Sequence, residues 1–143
     1  MNMDREDAEM LKLTMKALKE FYGLNPGKQA ASVRETGNKL GLVFADGFVD
    51  GDSEEVIEQM AEFWVKNGIG EMRWDKETGL LKIDNCSDCL GRSYGAGYTL
   101  CPFKEGFIGA VLSKKTGQQV VVSETECCGT LADGCRFKVV HKR

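Results

Sequence analysis

Cys101-Pro-Phe-Lys-Glu-Gly-Phe-Ile-Gly-Ala-Val-Leu-Ser-Lys-Lys-Thr-Gly117 is the stretch on which the fold turns. Pro102 suits a first helical turn, where a missing backbone N–H costs nothing. Phe103, Phe107 and Val111 then recur at helical spacing as far as Lys115, and Gly117 supplies the stop. Gly106, Gly109 and Ala110 form a strip of small residues that would let a neighbouring sheet come close. On either side of this helix the period changes to two. Downstream, Gln119–Glu124 and Arg136–His141 read as strands. Upstream, Met72 and Trp74 alternate with Glu71 and Arg73, residues 75–79 (Asp-Lys-Glu-Thr-Gly) make a turn, and Leu81 and Ile83 alternate again, which is a hairpin.

Further upstream the chain is helical. Leu11, Met15, Leu18 and Tyr22 share one face, with a stop at Gly23. A second pattern after Asn25-Pro26-Gly27 runs through Val33, Gly37, Leu40 and Phe44. A third opens at Asp52, with Glu55 three residues on as the other half of a capping box, and continues through Val56, Met60, Phe63 and Trp64. The order predicts an α+β fold: N-terminal helices packed on a mostly antiparallel sheet interrupted by one helix. No linker or repeat divides residues 1–143, so one domain is expected.

The composition is that of an ordinary soluble globule: 42% hydrophobic, 29% charged and 2 prolines. Nineteen basic and 22 acidic side chains leave a net charge of −3, which argues against a direct nucleic-acid partner or an anionic membrane surface. No apolar run reaches the roughly 20 residues that span a bilayer. The polar N-terminus lacks a signal-peptide core, so a cytoplasmic protein without membrane insertion is expected. Gly95-Ala-Gly97 lies in no strand-to-helix frame, which argues against a phosphate-binding loop. His141, the lone histidine, has no nucleophile beside it in a recognisable pattern.

All six cysteines lie between Cys86 and Cys135. Without a secretion signal, clustered thiols point to metal ligands or a redox pair before a disulfide lattice. Two readings compete. In the first, Cys101, Glu124, Cys127 and Cys135, all at the ends of predicted elements, converge on one zinc ion. Three thiolates and a carboxylate would fill a tetrahedral shell, leaving no position for a catalytic water and a net charge of about −2 for nearby donors such as Lys104 and Arg136 to offset. In the second, Cys86 and Cys89, alone or with Cys127 and Cys128, form an additional thiol or metal site or a dithiol redox centre.

Residues 79–140 resemble the 4-vinyl reductase-like domain family. The match rests on Cys101-Pro-Phe-Lys-Glu-Gly-Phe-Ile-Gly and on Ser-Glu124-Thr-Glu-Cys127-Cys-Gly-Thr-Leu-Ala-Asp-Gly-Cys135-Arg-Phe137. The resemblance implies a fold shared with zinc-containing aromatic sensor domains and with subunits of vesicle-tethering complexes, the ligand-binding fold of signalling and Golgi-transport proteins. It implies that Cys101, Glu124, Cys127 and Cys135 hold zinc, and that the domain binds a small, hydrocarbon-like molecule and forms homodimers. Cys86, Cys89 and Cys128 are thiols beyond that pattern.

The leading expectation is therefore a zinc-stabilised binding or sensor domain for a small apolar or aromatic ligand. Trp74 and Tyr98, and beyond them Phe63, Trp64 and Tyr94, are candidate pocket residues. One alternative is a tetrapyrrole- or cofactor-handling protein acting with a partner enzyme, since the chain carries no nicotinamide or flavin fingerprint of its own. Another is an assembly subunit whose first helix serves as an interface.

Overall fold

The computed structural model describes residues 5–24, 29–87, 101–127 and 134–142. Three helices come first: α1 (Arg5–Leu24), α2 (Ala30–Phe44), extended by a short 3-10 turn at Ala45–Gly47, and α3 (Ser53–Lys66). The hairpin β1 (Glu71–Asp75) and β2 (Leu80–Asp84) follows, then α4 (Pro102–Thr116), β3 (Gln119–Glu126) and β4 (Gly134–Lys142). The fold is α+β, as the sequence predicts.

Local chemistry explains the boundaries. Asp52 accepts from the Glu55 N–H at 2.9 Å while the Glu55 carboxylate accepts from the Asp52 N–H at 3.3 Å, which is the expected capping box. Pro102 opens α4, and Gly117 closes it in the left-handed conformation at φ 71°. α1 runs one residue past Gly23, and the Asn25-Pro26-Gly27 break lies outside the described residues.

The four strands form one antiparallel sheet in the order β1-β2-β4-β3. Met72, Leu81, Ile83, Cys135, Phe137, Val139, Val120 and Val122 line its inner face and are buried. The outer face carries Arg73, Asp84 and Arg136, joined by ion pairs at 2.8 and 3.5 Å. One face packed and one wet is the usual solution for an antiparallel sheet.

α4 lies against that inner face and is itself covered by α2, so nearly every residue from Pro102 to Leu112 is buried. The small-residue strip predicted to face a sheet in fact divides between two neighbours. A Cβ on Gly109 would lie 3.6 Å from the Val120 carbonyl oxygen on β3, whereas a Cβ on Gly106 would sit 2.0 Å from the Arg34 carbonyl oxygen on α2. Gly37 and Gly41 answer from α2, where a Cβ would fall 2.1 Å from the Phe103 and 2.5 Å from the Phe107 carbonyl oxygen. Two helix backbones therefore touch directly, which only glycine permits.

Candidate metal centre

The centre is built from element ends. Cys101 is the residue before α4, Glu124 lies near the end of β3, Cys127 follows it, and Cys135 lies at the start of β4. In an undisturbed strand Val120, Val122 and Glu124 face inward, and a residue three beyond Glu124 would face out. β3 avoids this with a bulge. Glu124 pairs with Phe137 and Glu126 with Arg136, so one extra residue is inserted between them and the phase of the strand reverses. Glu124 and Cys127 therefore both turn inward.

The ligand atoms of Cys101, Glu124 and Cys127 lie within 4.8 Å of one another. Cys135 Sγ stands 3.9 Å from Cys101 Sγ. Cys86, on the turn after β2, places its sulfur 3.5 Å from that of Cys135. These four cysteines are buried and reduced. Cys89 and Cys128 lie outside the described residues.

Glu124 is tightly held. Its Oε1 accepts from the Cys101 N–H at 3.0 Å. Its own N–H donates at 2.7 Å to Glu105 Oε2, and Glu105 Oε1 accepts from Arg34 Nη2 at 3.0 Å. A chain of contacts thus runs from α2 through α4 to the metal-ligating end of β3. Sequence reasoning missed Arg34 and Glu105, because their roles depend on a juxtaposition across 71 residues of chain. Glu124 Oε2, by contrast, is buried with no hydrogen-bond partner among the described residues. Burial pushes this carboxyl up to about 9; the neighbouring Cys101 thiol raises it further, and Lys104 and Lys19 pull it down. A buried carboxylate oxygen left unmatched beside thiols is what a cation-binding donor looks like in the absence of its cation. The residues fit a thiophilic metal ion, zinc included.

Of the two expected charge-balancing residues, Lys104 is fully buried with Nζ 3.9 Å from Cys135 Sγ. Arg136 points to the outer face and reaches the Asp84 carboxylate and the Cys135 carbonyl oxygen, so it steadies the ligand's backbone and not its sulfur. A second buried cation, Lys19 of α1, acts on Glu124 instead.

The candidate pocket residues separate. Trp64 is fully buried and packs on Phe107 at 5.6 Å between ring centroids, and Phe63 packs edge-on against Phe44 and Phe48. Trp74 borders a cleft of about 550 Å³ that is otherwise polar, among Asp52, Ser53, Lys76 and His141. His141 is exposed there and hydrogen-bonds Ser53. Tyr94 and Tyr98 lie outside the described residues. Trp64 Nε1 and Ser87 Oγ are buried without partners among the described residues. Ile69 ties both segments together, donating its N–H to the Trp64 carbonyl at 2.9 Å and accepting from the Ser87 N–H at 2.8 Å.

Comparison with known proteins defines the class first. The fold matches a crystal structure of a vinyl-4-reductase family protein from Methanocaldococcus jannaschii (TM-score 0.60, 18% identity, 78% of this chain and 68% of that one). It also matches a trafficking protein particle complex subunit 3 from Naegleria fowleri covalently bound to palmitic acid (0.62, 17%, 98% of each chain). A third match is the phenol-responsive sensory domain of the transcription activator PoxR with phenol (0.58, 15%, 99% and 75%). The chain thus has the α+β fold common to vinyl-4-reductase, trafficking-complex and sensor domains.

More particularly, residues 81–141 match the vinyl-4-reductase (V-4-R) domain, so this part of the chain is a vinyl-4-reductase domain, as the motifs around Cys101, Glu124 and Cys135 indicated. The uncharacterized protein MJ0150 of Methanocaldococcus jannaschii is 30% identical over 112 residues, 76% of this chain; the match spans 63% of that relative's length. Among the described residues no helix is long and apolar enough to cross a membrane.

Proposed function

We propose that this chain is a zinc-stabilised binding or sensor domain for a small apolar or aromatic molecule, acting as one domain over residues 1–143. The observation that carries the proposal is the buried convergence of Cys101, Glu124 and Cys127, with Cys135 at 3.9 Å from Cys101, inside a vinyl-4-reductase domain. Zinc held by these four would join the start of α4 to the ends of β3 and β4 and contribute folding free energy. With three thiolates and one carboxylate its shell is closed to catalytic water. The resulting charge of about −2 is matched by the two buried ammonium groups of Lys19 and Lys104.

The phenol-bound sensory domain with this fold supports an aromatic ligand. Trp64 Nε1 and Ser87 Oγ, buried and unmatched among the described residues, are the polar groups that would orient it in apolar surroundings. The test is elemental analysis with native mass spectrometry on freshly purified protein, followed by titration with phenol and alkylphenols read by tryptophan fluorescence. One zinc per chain and saturable quenching are expected; a metal-free protein with no response to any of these ligands would overturn the proposal.

A homodimer is favoured by α1, where Met10, Leu13 and Phe21 stand exposed along one helix, Met10 at 63%. The native mass spectrum reports subunit number in the same experiment, and a monomer at micromolar concentration rejects this part.

A further inference from the structure

Five donors, not four, surround the proposed zinc position. A thiolate–metal bond of about 2.3 Å and a tetrahedral angle place neighbouring sulfurs about 3.8 Å apart. The Cys101–Cys135 separation of 3.9 Å and the Cys86–Cys135 separation of 3.5 Å bracket that edge. Cys135 is therefore a corner shared by two sulfur pairs, only one of which belongs to the set carried over from the family resemblance.

The backbone is shaped to present Cys86. Asn85, immediately before it, has φ 52°, the one non-glycine residue in the left-handed region among the described residues. Asparagine tolerates that conformation better than most residues, and it turns the chain inward at the end of β2. Cys86 is buried, its thiol directed at the Ile83 carbonyl oxygen at 3.5 Å, and Ile83 is the cross-strand neighbour of Cys135. β2 and β4 come unusually close at this point. A Cβ on Gly134 would lie 2.7 Å from the Ile83 carbonyl oxygen and 2.6 Å from Asp84 Oδ1, so glycine is needed for the approach that brings Cys86 to the cluster.

We propose that Cys86 is a fifth donor of the centre, interchangeable with Glu124, so that the site closes either as three thiolates and a carboxylate or as four thiolates. On exchange Cys86 releases its thiol proton and the displaced Glu124 carboxylate takes one up, leaving the charge around the ion unchanged. A borderline ion such as zinc keeps the carboxylate, while a softer cation such as cadmium draws in the fourth sulfur. The chain would then hold soft divalent ions in a shell that the carboxylate-containing set alone does not provide. This rests on the metal-centre reading above.

X-ray absorption on the full chain loaded with Zn²⁺ or with Cd²⁺ tests it, with Cys86→Ser and Glu124→Gln beside the wild type. Expected are three sulfurs and one oxygen around zinc, and four sulfurs around cadmium. In Cys86→Ser the cadmium shell should fall to three sulfurs, and competition titration should show about a tenfold or greater loss of cadmium affinity with little change for zinc. In Glu124→Gln one ion per chain should be retained in an all-sulfur shell. An identical cadmium shell in wild type and Cys86→Ser overturns the proposal while leaving the metal centre standing; failure of the wild type to bind either ion overturns the centre itself.

Discussion

The α2–α4 contact and the corner around Cys101 share one helix and are both buried, yet they are closed by opposite means. At the contact, Gly37, Gly41 and Gly106 let backbone meet backbone, and the surface is complete without any further component. At the corner, thiols, a carboxylate and a buried lysine meet, and Glu124 Oε2 has no hydrogen-bond partner among the described residues. A complete contact can only be harmed by addition, whereas an incomplete one is finished by an added ion.

The sharpest way to break the contact is Gly106→Ala, whose Cβ would sit 2.0 Å from a backbone oxygen. Overpacking usually costs about 1–3 kcal/mol, and a clash with backbone belongs at or beyond the upper end. A lowered urea midpoint, equal in zinc-loaded and chelated protein, is expected; dependence of the loss on metal would contradict the separation of the two regions. At the corner, chelation should destabilise the folded protein by about 2.7 kcal/mol when free zinc had stood at about 100 times its Kd. Cys135→Ser should abolish that difference, read as the gap in melting temperature with and without chelator.

Glu105→Gln joins the two regions, because Glu105 holds the Glu124 N–H at 2.7 Å and Arg34 at 3.0 Å. Loss of such an outer contact typically lowers metal affinity about 10–100-fold. Competition titration should show this with only a small change in the stability of chelated protein. The smallest effect is expected far from both. Asp52→Ala removes the α3 cap for about 1 kcal/mol and should leave metal affinity untouched. A shift in zinc affinity in that variant would mean that α3 is coupled to the corner.

The α+β order, the capping box at Asp52, Pro102 and Gly117 at the ends of α4, and the alternation of β1 and β2 were legible because each depends on residues within a few positions of one another. The family motifs likewise pointed to Cys101, Glu124, Cys127 and Cys135. What distant elements do to one another was not legible. Gly106 looked like a sheet contact and faces α2, since neighbouring positions on a helix point to different sides. Trp64 read as a candidate pocket residue and lies in an aromatic core, because aromatic spacing along a helix looks the same in either role.

The sequence by itself determined the elements, their order and the thiol-rich chemistry of the C-terminal half, through local propensity and the side-chain types present. Only the tertiary structure decided that a bulge turns Glu124 and Cys127 to one side, that Lys19 and Lys104 bury their charge at the corner, and that Cys86 joins Cys135 at 3.5 Å. Register, burial and distance arise when separate segments pack, and no local pattern encodes them.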